Sequence, residues 1–186
     1  AKAVNCESTV DGDTCDQCTS CLAHDSGRAI DLIEIDAAAG GGADGIRDLA
    51  EKAIYAPVSS RYKVYILDEV HALGSPQAFT ALLKVLEEPP PHVIFAFATT
   101  EIDKVIPTVL SRSQRFDLSR IPMDTVIKRL TQIADSEGFI IDSLSYKLIA
   151  RYATGSLRDA VNALDRVTAS FGPSPSAEDI RASLGL

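Results

Sequence analysis

The apolar positions along the chain fall into two regimes. In the first, short apolar runs alternate with helical patterns. Asp31-Leu32-Ile33-Glu34-Ile35-Asp36 alternates, and it is bounded by Gly27 and by the small-residue stretch from Ala37 to Ala43 with its three consecutive glycines. This predicts a strand that ends in a loop. Ile46, Leu49, Ala50, Ala53 and Ile54 share one helical face, with Asp44 as the expected N-cap and Pro57 as the stop. Tyr62-Lys63-Val64-Tyr65-Ile66-Leu67 is an apolar and β-branched run closed by Asp68-Glu69. Such runs suit strands of parallel sheets, which are buried on both faces. A second helix is expected from a Ser75 cap with Pro76 in the first turn. Phe79, Leu82, Leu83 and Leu86 line its buried side, and Glu88-Pro89-Pro90-Pro91 ends it. Val93-Ile94-Phe95-Ala96-Phe97-Ala98 is another apolar strand, closing on Thr99-Thr100. Gln114-Arg115-Phe116-Asp117-Leu118 is a shorter candidate strand after the turn at Arg112.

Strands alternating with helices describe an α/β layer with a parallel sheet. After Pro122 the second regime begins. Val126, Leu130 and Ile133, then Leu144, Leu148 and Ile149, then Leu157, Val161 and Leu164 are helically spaced and separated by Gly138 and Gly155. Two domains are therefore expected, an α/β domain over 1–120 and a small helical domain over 121–186.

Composition narrows the class. The 186 residues are 46% apolar and 24% charged, an ordinary balance for a folded chain. No apolar run approaches the ~18 residues of a membrane span, and Ala1-Lys2-Ala3-Val4-Asn5-Cys6 is too polar and short for a signal sequence. The expectation is a soluble, cytoplasmic protein with no membrane partner. A net charge of -8 excludes a uniformly basic nucleic-acid binder, so any DNA contact must be local or shared within an assembly.

All four cysteines, Cys6, Cys15, Cys18 and Cys21, lie in the first 21 residues. Two chained C-x2-C turns deliver sulfurs to one point, which suits tetrahedral zinc. The competing reading is a pair of disulfides, which would suit a secreted minidomain. Nothing beside the sulfurs resembles a general base or an open coordination position, so the zinc is expected to be structural.

In open α/β sheets, ligands bind at the carboxyl ends of strands. Asp68-Glu69 at such an end has the Walker B arrangement: the first carboxylate is placed to hold Mg²⁺, the second to orient or deprotonate an attacking water. An exposed acidic turn is the bland alternative, and His71 reads as a structural partner. Thr99 and Thr100, on the next apolar strand, offer hydroxyls near a γ-phosphate. Arg112 and Arg158 are guanidinium donors of the kind that phosphoryl transfer rewards, although a solvated arginine is the commoner case.

Taken together these residues carry a resemblance. The cysteine module, Lys63-Val64-Tyr65-Ile66-Leu67-Asp68-Glu69-Val70-His71, Ala81-Leu82-Leu83-Lys84-Val85-Leu86-Glu87-Glu88-Pro89-Pro90, Ala98-Thr99-Thr100, Leu110-Ser111-Arg112 and Gly155-Ser156-Leu157-Arg158-Asp159-Ala160 resemble, in order, the bacterial DNA polymerase III gamma/tau family, the ATPases of the sliding-clamp loader. The resemblance implies a three-layer AAA+ P-loop-type core with an inserted zinc knuckle at 6–21, followed by a three-helix lid. It implies that Asp68 serves Mg²⁺, Glu69 activates water, Thr99 or Thr100 senses the γ-phosphate, and Arg158 acts from the lid of the same subunit. Arg112 would complete a neighbouring subunit's site. ATP, Mg²⁺ and structural Zn²⁺ are the implied cofactors. The implied partners are the delta and delta-prime subunits and further gamma/tau copies in a ring, the sliding clamp, and primer-template DNA reached through the assembly.

The chain departs from the family pattern at Ser113, where a cysteine is usual, and at Thr80, where an asparagine is usual. No G-x-x-x-x-G-K-[ST] occurs, so the loop that cradles phosphates, and the first strand before it, are expected to lie upstream of Ala1. This fragment is then expected to be inactive alone. Alternative readings are a non-hydrolysing delta-prime-type subunit that donates an arginine finger, a DExH helicase box at Asp68-Glu69-Val70-His71, and a pure assembly module.

Overall fold

The computed structural model describes residues 1–39, 43–73 and 76–186. The glycine triplet and the expected Ser75 cap lie outside them. The described chain divides into two compact units, Ala1–Arg115 and Phe116–Leu186. Among the described residues no helix is long and apolar enough to cross a membrane.

The first unit is built on a parallel sheet of three strands, β1 (Leu32–Asp36), β2 (Lys63–Asp68) and β3 (Val93–Phe97), in the order β1-β2-β3. Register places Ile33 beside Tyr65 and Tyr65 beside Phe95, then Ile35 beside Leu67 and Leu67 beside Phe97. In-register residues of parallel strands share a face. These six side chains therefore form one apolar surface, which packs against α3 (Ala43–Ala53) and α4 (Pro76–Glu87) through Ile46, Leu49, Phe79, Leu82 and Val85. Tyr65, Phe95 and Phe97 stack along it with ring centroids 5.4 and 6.0 Å apart. On the opposite face Val64 is buried, Ile66 and Ile94 are half-buried and Ala96 is exposed. Of the three layers expected, the described residues complete two.

Three local expectations are corrected. Asp44 lies inside the first turn of α3 rather than at its cap, where its carboxylate pairs with Arg47 at 3.1 Å. Gln114 to Leu118 is not a strand. Sheet order ends at β3, no described strand offers a ladder to the segment, and Phe116 and Leu118 are 75% and 96% exposed. The helical unit has four helices instead of three: α6 (Met123–Glu137), α7 (Ser143–Tyr152), α8 (Leu157–Phe171) and α9 (Ala177–Leu184). The fourth forms because Ser176 and Asp179 make a capping box and Ile180 and Leu184 are buried. Their common core is Val126, Leu130, Tyr146, Ile149, Leu164, Val167 and Ile180, whereas Leu144 is exposed.

Two short helices, α1 (Lys2–Asn5) and α2 (Thr19–Asp25), hold the cysteine region. The buried Asn5 side chain imitates a strand residue: its amide donates to the Tyr62 carbonyl at 2.9 Å and accepts from the Tyr62 N–H at 2.8 Å. This fastens α1 to the chain just before β2. Asp31, only 2% exposed at the foot of β1, accepts the N–H groups of Val58, Ser59 and Ser60 at 2.7–2.8 Å and so shapes the loop into β2. Burial pushes its carboxyl up, but these bonds and the Ser59 hydroxyl outweigh burial and hold it below the ordinary carboxylate value.

Candidate functional site

Two chemical centres occur in the first unit. The first sits at the carboxyl ends of β2 and β3. The ladder continues past both strands, with Ala98 N–H donating to Leu67 O at 2.9 Å and Val70 N–H to Ala98 O at 3.0 Å, which brings residues 68–69 beside 99–100. Between these bonds Glu69 turns left-handed, at φ +47°, a conformation that costs an L-residue about 1–2 kcal/mol. The turn swings its half-exposed carboxylate across to β3. There Oε2 accepts from the Thr100 N–H at 3.2 Å and from Thr100 Oγ1 at 3.1 Å.

His71 sits on the 3-10 turn Val70–Leu73 that follows. Its Nδ1 lies 2.8 Å from Thr99 Oγ1 and 3.2 Å from Glu69 Oε2, and its Nε2 lies 3.3 Å from Glu101 Oε1. Thr99 Oγ1 also accepts the Glu101 N–H at 3.0 Å. Lys104 closes the chain with its ammonium 2.7 Å from Glu101. The Lys104 ammonium, working against desolvation, holds the Glu101 carboxyl below its ordinary value. Asp68 is exposed on the open face of the sheet and accepts the Glu69 N–H at 2.9 Å. An exposed carboxylate at a strand end, with its backbone fixed by ladder bonds, is a fitting ligand for a hard cation such as Mg²⁺.

Asp68, Glu69, Thr99 and Thr100 are thus brought together. Arg112 lies apart, in the turn after α5 (Pro107–Leu110), with its guanidinium bonded to Glu87 Oε1 and the Thr108 carbonyl, both at 3.1 Å. Arg158 is exposed in the first turn of α8 in the second unit. Its start is set by a braced turn. Thr154 and Gly155 are both left-handed, Ile121 N–H donates to Gly155 O at 3.0 Å, the Arg120 guanidinium donates to Thr154 O at 2.7 Å, and Ser156 caps Asp159 N–H. Sequence reasoning missed Glu101 altogether and read His71 as a structural partner without placing it between Thr99 and Glu69. The signal was available only through register, since Leu67 beside Phe97 is what sets the two strand ends side by side.

The second centre is the cysteine cluster. The four sulfurs lie within 4.8 Å of one another. Tetrahedral zinc with Zn–S of ~2.3 Å needs sulfurs roughly 3.8 Å apart. All four cysteines are free, and Cys15 and Cys21 Sγ are 4.0 Å apart, well beyond a disulfide's ~2.05 Å. Backbone amides point at the sulfurs in sequence: Cys15 N–H to Cys6, Cys18 N–H to Cys15 and Cys21 N–H to Cys18, at 3.3–3.4 Å. The amide of Cys15 lowers the Cys6 thiol, and amides of Glu7 and Cys21 lower Cys18, so these two give up their protons more readily than an ordinary thiol. Burial pushes Cys21 up to about 12, so this thiol stays protonated unless a cation takes the proton's place. An all-sulfur set with amide bonds to three of its members fits a structural zinc ion, held by Cys6, Cys15, Cys18 and Cys21. Lys2 ties α1 to the cluster through Asp16 at 2.6 Å and Asp25 at 2.7 Å.

The first unit is a parallel α/β layer with acidic and threonine residues at adjoining strand ends, and the second unit is all-helical. The same fold occurs in the Thermotoga maritima RuvB Holliday junction branch migration motor, with a TM-score of 0.69 at 14% identity over 89% of this chain and 55% of that one. A likeness at that identity shows the fold alone. The family model described as DNA polymerase III, delta subunit, matches residues 1–122. DNA polymerase III subunit tau of Bacillus subtilis is 46% identical over 179 residues, covering 96% of this chain and 32% of the relative. The gamma/tau subunit of Mycobacterium tuberculosis H37Rv is 43% identical over 171 residues, 91% of this chain and 29% of the relative. Subunit tau of Escherichia coli K12 is 42% identical over 185 residues, 100% of this chain and 29% of the relative. The chain belongs to the DNA polymerase III gamma/tau subunit family. It spans about a third of the length of these relatives.

Proposed function

We propose that the chain is part of the ATPase motor of a bacterial clamp loader, which uses ATP binding and hydrolysis to load the sliding clamp onto primed DNA for the DNA polymerase III holoenzyme. The observation that carries this reading is the bonding of Glu69 to Thr100, with Thr99 joined through His71, beside an exposed Asp68. In this reading Asp68 holds Mg²⁺, which neutralises charge on the transferred phosphoryl group. Glu69 takes the proton of the attacking water, and the Thr99 or Thr100 hydroxyl faces the γ-phosphate. Arg158 contributes from the helical unit of the same subunit. Arg112 leaves its pair with Glu87 to complete the site of the adjacent subunit. The domains in function are an ATPase core over 1–120, with its zinc module at 6–21, and a helical lid over 121–186. The partners are the delta and delta-prime subunits, further gamma/tau copies, the sliding clamp and primer-template DNA, in the cytoplasm at the nucleoid.

The 186 residues contain no G-x-x-x-x-G-K-[ST], and we expect them to hydrolyse no ATP by themselves; robust turnover by the isolated chain would overturn that part. In the assembled full-length complex, Arg112→Ala lowers ATP turnover by the adjacent subunit and leaves its nucleotide binding intact. Loss of binding instead would contradict a role in trans. A delta-prime-type subunit without ATP chemistry is the second reading, favoured by the delta description of the matching family model. That reading expects Glu69→Gln to leave the turnover of the complex unchanged.

A further inference from the structure

Accepting Glu69 as the water-activating base, we propose that His71 is the positioning residue that fixes its carboxylate and ties it to Thr99. Three observations point the same way. The ring is only 15% exposed, and both of its nitrogens are spent on polar groups of the centre rather than on the surrounding core. Its Nδ1 lies between the Thr99 hydroxyl, at 2.8 Å, and Glu69 Oε2, at 3.2 Å, so one atom spans the ends of β2 and β3. Its Nε2 is held by Glu101, which is itself held by Lys104, and that outer pair sets the plane of the ring.

The arrangement answers a mechanical need. Glu69 leaves β2 with a left-handed backbone, and without side-chain restraints its long carboxylate would sample several rotamers. Thr100 restrains one oxygen from β3, and His71 restrains the same oxygen from the turn after β2. A shift of Thr99 or Thr100 is therefore passed to the carboxylate through the imidazole. His71 touches neither the attacking water nor the phosphoryl group in this scheme, so its loss acts on placement of the base alone. Misplacement by about 1 Å costs on the order of 10²-fold in rate.

The test uses the full-length subunit in its assembled complex and measures kcat and KM for ATP. His71→Ala lowers kcat about 10- to 100-fold with KM unchanged. His71→Asn, which keeps a polar atom where Nδ1 stands, restores most of that loss. His71→Gln, which reaches toward Glu101 and vacates the Nδ1 position, does not restore it. In a Glu69→Gln background His71→Ala causes no further fall. The proposal is overturned if the alanine variant turns over within twofold of the parent, if glutamine rescues and asparagine does not, or if the two losses add in full. Should His71→Ala fail to assemble, the asparagine and glutamine variants decide alone. Glu69→Gln with intact turnover would sink the reading of the base itself, whereas an inert Glu69→Gln beside an unaffected His71→Ala sinks only the positioning role.

Discussion

Glu69 shows how a single residue carries both a cost and a use. Its left-handed backbone is offset locally by the bonds from Thr100, with His71 Nδ1 3.2 Å from the same oxygen, and strain of this kind is found where a side chain must be aimed. With Glu69→Gln in the full-length complex, kcat falls by about 10²–10⁴-fold while nucleotide binding persists, read by turnover and by equilibrium binding of labelled ATP. Asp31 is the structural counterpart. Replacing it with Ala strips three partly buried N–H groups of their acceptor and destabilises the chain by about 3 kcal/mol, measurable by denaturant unfolding. Because its folded pKa is depressed, this stabilisation is present above the unfolded value of ~3.9 and is lost as pH falls through the lower, folded value. Asp31→Asn should therefore flatten the loss of stability as pH falls below the unfolded carboxylate value. An unchanged acid slope would show that the loop, not the charge, does the holding. Asp68, Glu69, Thr99 and Thr100 were readable because strand ends announce themselves as apolar runs closing on polar pairs. Glu101 and the linking role of His71 were not, because they depend on which strands are neighbours and in what register.

Among elements, those whose partners lie close in sequence were the most legible. β1, β2 and β3, and the helices between them, formed where the apolar patterns put them. Gln114 to Leu118 had a plausible pattern, but a strand is defined by its neighbour's backbone, and none of the described strands pairs with it. α9 was missed although its Ser176 and Asp179 capping box was in plain view; its eight residues were too few for a periodicity to be counted. The start of α8 gives a sharp test of local design. A Cβ at Gly155 would lie 2.8 Å from Arg120 Cβ and 3.1 Å from Ile121 O, whereas one at Gly138 would meet nothing within 4 Å. Both are left-handed. Gly138→Ala therefore costs only the conformational penalty of about 1 kcal/mol, and Gly155→Ala costs at least about 2 kcal/mol, compared by thermal unfolding. Equal shifts would mean that the contact with residues 120–121 yields easily.

For the whole molecule, two units with separate cores place different demands on the chain. The first is the less complete, since one face of its sheet is half-open, and it also carries the metal candidate. In finger peptides a structural zinc ion contributes about 10–16 kcal/mol of apparent binding energy, and few local contacts replace that in residues 6–21. Chelation should disorder this segment, seen as lost amide protection there, while α6 to α9 stay protected. Recovery of the protein without metal and with oxidised thiols would reject the site.

The amide pairing of Asn5 with Tyr62 adds a constraint on distance. Tyr62 precedes β2 and Asp68 closes it, six residues further on, so the fastening point of the sulfur cluster and the carboxylates stand at opposite ends of one strand, about 20 Å apart. At that range the charge of an ion bound by the cysteines would be muted at the carboxylates, and the stiffness of β2 would connect the two. Cobalt bound at the four cysteines would then act as a silent reporter: its thiolate absorption bands would mark the occupied knot while the ATP turnover proposed for the full-length complex stayed the same.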